Sequence, residues 1–116
     1  IGPYTALDGG KSGITIVSNC SISAGVNIIG HDSVKWALSG GRQKYEYAPV
    51  SLGDNCFIGT NAVITKGVSI GNHCLVGANA VVTRSFPDYS IILGVPARHM
   101  GNVIVTEEDV ILEYFD

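Results

Sequence analysis

Neutral imidazole, with an ordinary pKa near 6.5, is a suitable proton acceptor at neutral pH, and the chain carries three histidines, His31, His73 and His99. Their settings differ. His31 stands just before a stretch that holds Trp36, Arg42, Tyr45 and Tyr47, whereas His73 sits inside an uninterrupted repetitive run and His99 lies near the C-terminal end. The three cysteines, Cys20, Cys56 and Cys74, form an odd set without CxxC spacing. That argues against a disulfide framework or a zinc site, and no metal is expected. Free cysteine packs as a small hydrophobe, and all three occupy the same small position of a repeat, so they read as core thiols.

The repeat must position these groups. Leu52, Ile58, Ile64, Ile70, Val76 and Val82 recur every six residues without a slip, and Ile16, Ile22, Ile28 and Val34 carry the same period upstream. Glycine follows several of these leads (Gly53, Gly59, Gly71, Gly77), and a small or aliphatic residue stands at the inward position four beyond the leads until Phe86 breaks the series, Asp32 after Ile28 being the one charge expected there. The third residue after each lead is Asn19, Gly25, His31, Asn55, Asn61, Gly67, His73 or Asn79. Asparagine and glycine, and to a lesser degree histidine, tolerate positive φ, so this position reads as a corner. Each hexad is then a short strand plus a turn that cannot bury its apolar side alone. Stacked three-sided coils of eighteen residues bury it, which predicts an all-β parallel β-helix. His31 at a corner position has a second reading, as a turn residue like His73.

The rhythm lapses between Val34 and Tyr47 and resumes at Val50 to Leu52. Long loops in compact repeats are uncommon unless they bind something. The length fits two sides of a coil or an insertion between coils. Near the N-terminus, Ile1 and Leu7 hold the six-residue spacing, but the glycine-rich piece from Gly9 to Gly13 interrupts it. Beyond Val82 the register is lost, and Thr106-Glu107-Glu108-Asp109 before Val110, Ile111 and Leu112 predicts a short helix with Thr106 as N-cap. Residues 1–100 thus read as the β-helix domain, with an excursion loop at about 35–47, and residues 101–116 as a C-terminal strand or helix extension.

A chain of 116 residues holds one domain. Its 15 glycines are roughly double the usual share of about 7%, which suits many tight corners. A net charge of -3 gives no basic footprint for nucleic acid. No apolar run approaches the ~18 residues of a membrane span and no charged-then-apolar leader starts the chain, so a cytoplasmic protein is expected. The first residue is Ile1, already in repeat-like sequence, which is compatible with a missing or processed N-terminal segment.

The hexads Ile58-Gly59-Thr60-Asn61-Ala62-Val63 and Val76-Gly77-Ala78-Asn79-Ala80-Val81, followed by Val82-Thr83-Arg84 and Gly94-Val95-Pro96-Ala97-Arg98, resemble the hexapeptide-repeat acyltransferases. The resemblance covers most of residues 14–98. It implies a left-handed parallel β-helix, trimeric assembly and acetyl-CoA or another acyl-CoA as donor. Gly30-His31-Asp32, the aromatic and basic loop, and Pro49-Val50-Ser51-Leu52-Gly53 are most similar to galactoside, maltose and polysaccharide O-acetyltransferases.

That resemblance implies His31 as general base, taking the proton of an acceptor hydroxyl as its oxygen attacks the acyl carbonyl. It also implies a pantetheine groove between subunits, to which Thr60, Ala78, Thr83 and Arg84 correspond by position, with Arg98 as a second phosphate contact. Arg84 stands where lysine is common, and either cation can hold a phosphate. Phe57 stands where tryptophan is common and keeps an aromatic wall for substrate, alongside Trp36 of the loop. Asp32, next to His31 on a strand and so facing the other way, is expected to meet the acceptor or the loop. Residues 1–13 match the family poorly, which leaves Asp8, Asn27 and Tyr4 unassigned as acceptor contacts.

The preferred reading is therefore an acetyl-CoA-dependent O-acetyltransferase acting on a sugar or glycan hydroxyl. N-acetylation of an amino-sugar or nucleotide-sugar is the close alternative. A carbonic-anhydrase-like hydrolase would need three converging histidines, and a non-catalytic β-helix scaffold would need none.

Overall fold

Six-residue spacing of inward aliphatics dictates a strand of two or three residues, then a corner, then another strand. The computed structural model describes all 116 residues, Ile1 to Asp116, and the chain follows this rule through most of its length. The first strands are β1 (Ala6–Asp8), β2 (Ile14–Ile16), β3 (Ser21–Ile22) and β4 (Asn27–Ile29). An excursion follows, made of β5 (His31–Asp32), helix α1 (Val34–Leu38) and β6 (Glu46–Tyr47). Regular strands then resume as β7 (Val50–Leu52), β8 (Phe57–Ile58), β9 (Val63–Ile64), β10 (Ser69–Ile70), β11 (Leu75–Val76) and β12 (Val81–Val82). The chain ends in β13 (Ser90–Gly94), β14 (Ala97–Val105) and β15 (Val110–Tyr114).

Successive strands are dealt in turn to three sheets. The first face holds β1, β4, β9 and β12, the second β2, β7 and β10, and the third β3, β8, β11 and β13. Pairing between coils is parallel and joins residues eighteen apart, as in Ile58 with Val76, Leu52 with Ile70 and Ile64 with Val82. Across the excursion the partners are thirty-six apart, Ile28 with Ile64 and Ile16 with Leu52. The excursion is therefore an insertion of one coil's length between two faces, and the stack continues beneath it. Leu7 faces Ile28, twenty-one residues on. The glycine piece between β1 and β2 accordingly adds three residues to the first coil.

The core is the set of inward leads and small residues. Ile28, Leu52, Ile58, Ile64, Val76 and Val82 are fully buried, and Ala62, Ala80, Cys56 and Cys74 fill the narrow spaces between them. Cys56 and Cys74 are core thiols, Cys20 is half-buried against the core, and their S–H groups reach the next coil. Cys56 Sγ lies 3.1 Å from the Gly71 carbonyl and Cys20 Sγ 3.1 Å from that of Gly53. Burial raises the Cys20 pKa, and the Cys74 side chain together with burial raises that of Cys56, which leaves both as poor nucleophiles. The glycine after a lead serves close packing of coils, since a Cβ on Gly59 would lie 2.5 Å from the Ala78 backbone nitrogen.

Three expectations are corrected. The register ends at Gly30 instead of Val34, because Val34 keeps the six-residue spacing only by coincidence and is an exposed residue of α1. Asp32 consequently does not occupy an inward position. The C-terminal helix is absent. Thr106 does accept the Asp109 N–H at its Oγ1, 3.1 Å away, and its own N–H bonds the Asp109 carbonyl at 2.9 Å. That pattern closes a hairpin turn instead of starting a helix, and β15 returns antiparallel along β14 with Val105 opposite Val110. A β-branched pair, Val110 and Ile111, facing an open sheet edge favours the strand. No helix is long and apolar enough to cross a membrane.

Ile64 is fully buried at the centre of the first face, so Ile64→Ala should destabilise the protein by about 2–5 kcal/mol. Denaturant unfolding followed by far-UV circular dichroism measures this, and an effect below about 1 kcal/mol would contradict the packing described.

Candidate functional site

Seven residues of the corner series adopt left-handed backbone: Asn19, Gly25, Asn55, Asn61, Gly67, His73 and Asn79, with φ between 54° and 78°. His31 is the eighth member by sequence and is not among them. It is a strand residue, paired antiparallel with Tyr47 where the excursion leaves the first face. The turn-residue reading therefore fits His73 and not His31.

The surroundings of His31 come from three separate segments. Tyr47 and Tyr45 of the returning arm stack on the imidazole, with ring centroids at 5.7 and 6.3 Å. Trp36 of α1 meets Tyr45 edge-on at 5.7 Å. From the first coil, Asp8 Oδ1 lies 3.7 Å from His31 Nδ1. That nitrogen is buried and has no hydrogen-bond partner. The glycine bend makes the approach feasible, since Gly10 has φ +56° and a Cβ there would lie 2.9 Å from the Tyr47 ring. Burying an unpaired ring nitrogen beside a carboxylate is costly unless the two close up, and catalytic hydrogen bonds are commonly long before substrate arrives. With Nδ1 turned to Asp8, the lone pair of Nε2 is the one left for chemistry.

Asp32 has another partner. Lys66 Nζ is 2.9 Å from its Oδ2, and the Val34 N–H donates to its Oδ1 at 3.0 Å. The hydrogen bond from Lys66, then that from Val34, hold the Asp32 carboxyl below its ordinary 3.8. The same bond raises Lys66 above 10.5. Lys66 also lies 4.0 Å from Glu46, which pairs with Lys35 at 3.3 Å. Both arms of the excursion are thus clamped to the coil below by one ammonium.

Thr60 and Ala78 stack at the corner between the third and first faces, with the Asn79 N–H bonded to the Thr60 carbonyl at 2.8 Å. Thr83 and Arg84 follow β12 at the other edge of the first face, the edge where His31 also stands. Arg84 is two strands from it, β4 to β9 to β12, about 10 Å along the stack at roughly 4.8 Å per strand. All four residues are exposed, and Arg84 rests over the Phe86 ring at 5.1 Å. Arg98 stands apart from them on β14 opposite Leu93. Phe57 is also on the third face, where it lines an apolar cavity of about 360 Å³ with Leu75, Val105 and Leu112. Within one chain it does not meet His31. His73 stacks on Tyr89 at 5.1 Å and His99 bonds Asn102 at 3.0 Å, so the histidines do not converge. Asp8 is the residue whose place sequence reasoning missed. Its only signal was the glycine bend beside it.

A family model described as the hexapeptide repeat of succinyl-transferase matches residues 49–84. The chain is 39% identical over 102 residues to Protein CapG of Staphylococcus aureus, an alignment covering 84% of this chain and 58% of CapG. Among solved structures, it is similar to AntD, an N-acyltransferase from Bacillus cereus in complex with dTDP and 3-hydroxybutyryl-CoA, at TM-score 0.77 and 28% identity, covering 87% of this chain and 57% of AntD. It is also similar to a galactoside acetyltransferase in complex with coenzyme A, at TM-score 0.68 and 28% identity, covering 79% and 46% of the two chains. The chain therefore spans about half the length of these relatives. The resemblance to hexapeptide-repeat acyltransferases holds in both sequence and fold.

The Asp32–Lys66 tie is intact between two limits. Its contribution is lost as pH falls through the lowered Asp32 pKa, below 3.8, and as pH rises through the raised Lys66 pKa, above 10.5. At pH 7, Lys66→Met should therefore speed cleavage of residues 33–46 by a broad-specificity protease several-fold. Unchanged cleavage would show that the excursion is held by other contacts.

Proposed function

We propose that the chain winds as a left-handed parallel β-helix, assembles as a homotrimer with active sites between subunits, and transfers an acetyl group from acetyl-CoA to a hydroxyl of a sugar or glycan in the cytoplasm. The observation that carries this reading is His31, the one member of the corner series withdrawn from the corner conformation, set between an aromatic loop and the carboxylate of Asp8. Such an arrangement suits a base. Asp8 would hold the Nδ1 proton, fixing the tautomer, and Nε2 would take the proton of the acceptor hydroxyl as its oxygen attacks the acyl carbonyl.

The donor supplies an activated thioester, and the residues of the first face fit its bulk and charge. Thr60 and Ala78 are small and exposed along one edge, leaving backbone approachable, while Thr83 and Arg84 lie on the other. No carboxylate lies within 4.0 Å of Arg84 or Arg98, so both cations are available to phosphate. Asp32 has the role of securing the loop through Lys66, and Trp36 that of walling the acceptor site. Phe57 would reach an acceptor only as part of a subunit interface, which the exposed apolar residues of the third face favour.

The likeness to AntD, an N-acyltransferase, supports a second reading in which the acceptor atom is an amine. Presenting matched amino- and hydroxy-sugars with acetyl-CoA separates the two.

His31→Ala should lower kcat/KM by on the order of 10²–10⁴-fold while CoA affinity by calorimetry stays unchanged. Unaltered turnover would remove His31 from the reaction. Asp8→Asn should lower kcat on the order of tenfold while CoA affinity stays unchanged; a loss of stability alone, with kcat unchanged, would make Asp8 a packing residue.

A further inference from the structure

Lys11 and the excursion form an open pocket of about 530 Å³, two of whose walls, Tyr45 and Tyr47, also stack on His31. Three cations, Lys11, Arg42 and Lys44, and three aromatic rings, Trp36, Tyr45 and Tyr47, line it, and no carboxylate does. The chain as a whole is acidic, at -3 with only seven Lys and Arg, so nearly half of its cations gather here. The neighbouring Lys35 and Lys66 are paired with Glu46 and Asp32. None of the three pocket cations has a carboxylate within 4.0 Å.

Two of the groups are already oriented. Arg42 donates its Nε–H to the Ser39 carbonyl at 2.9 Å, while its own N–H and that of Gln43 bond the Ser39 hydroxyl at 3.0 and 2.8 Å. Only Nε of the guanidinium is used in this way, so its terminal donors make no hydrogen bond within the chain. Lys11 sits 4.9 Å above the Tyr47 ring, which holds it at the pocket mouth. Like charges gathered without counter-charge repel one another, and an anion would relieve that repulsion. Aromatic faces suit the apolar face of a sugar ring.

We propose that the acceptor is an anionic sugar, bearing a carboxylate or a phosphate, whose charge is read by Lys11, Arg42 and Lys44 while its ring packs on Trp36, Tyr45 and Tyr47 next to His31. This rests on the acetyl-transfer reading for the purpose of the pocket but not for its binding chemistry. The two are therefore testable separately. Trp36 is the only tryptophan, so its fluorescence reports occupancy of the pocket without any turnover.

The probes are a tetragalacturonate, UDP-galactose and, as neutral controls, galactotetraose and galactose. The anionic probes should quench Trp36 fluorescence with an affinity at least about tenfold above that of their neutral counterparts. That advantage should shrink as salt rises from about 0.05 to 0.5 M. It should disappear in the exposed triple variant Lys11→Gln/Arg42→Gln/Lys44→Gln, whose circular dichroism should match the wild type. Tighter binding of the tetragalacturonate assigns the charge to a carboxylate, and tighter binding of UDP-galactose assigns it to a phosphate; either supports the proposal. Equal binding of anionic and neutral probes, or a triple variant that keeps the preference, would overturn it. Should an anionic probe bind in this way but receive no acetyl group from acetyl-CoA, the inference about charge stands and the transferase reading fails. If neutral and anionic acceptors are acetylated with equal KM, the transferase reading stands and the inference fails.

Discussion

Every other feature depends on the burial of aliphatic side chains that recur each sixth residue and meet their counterparts one coil away. A hexad has two inward side chains and two or three residues of strand, too little to hold a structure alone. Stacked on its neighbours it removes its inward apolar side chains from water, as the zero exposure of Ile28, Ile58, Ile64, Val76 and Val82 records. The backbone bonds between coils follow from that stacking. So does the clearance at Gly59, where any side chain would strike the coil beyond. Outward side chains are then left in columns along the edges of each face, and the proposed site is assembled from such columns.

The excursion is compatible with this constraint because it inserts one coil's length at a corner. Residues above and below it keep their pairing, Ile28 with Ile64 and Ile16 with Leu52. At that corner His31 leaves the first face as extended strand, while at the same place in the next coil Gly67 turns with φ +78°. The change from corner to strand turns an ordinary repeat position into a group that faces a loop. Asp8 reaches the same point from the end of β1, where it pairs with Ile29 just before the glycine bend.

Much of the frame was legible in the sequence because burial leaves a periodic record. The leads from Leu52 to Val82, the corner asparagines and the inward cysteines all follow from that record. What escaped it was local. Val34 preserved the spacing while lying exposed on α1, so the excursion appeared to begin later than it does. Thr106 made a side-chain bond common to helix caps and to turns, and only the free edge of β14 decided between them. The Asp8–His31 approach joins residues in different coils across an irregular bend, where counting by sixes fails. Lys66, which clamps the excursion, stands at an outward position that the repeat does not mark.

The excursion itself contributes nothing to the core. Helix α1 buries none of its residues, and the loop is secured by Lys66 reaching Asp32 and Glu46, contacts that are exchangeable with water. Its composition is consequently not dictated by folding, in contrast to the hexads, where each inward position admits only a few side chains. Aromatic rings and unpaired cations at such exposed positions cost the protein solubility and self-repulsion, with no compensating burial in the isolated chain. A ligand, or a neighbouring subunit of the proposed trimer, is the partner that could compensate them. On the proposed reading the labour divides accordingly: the coil fixes where His31, Asp8 and the donor-side residues stand, and the loop, free of packing duties, would set which molecule is brought to them.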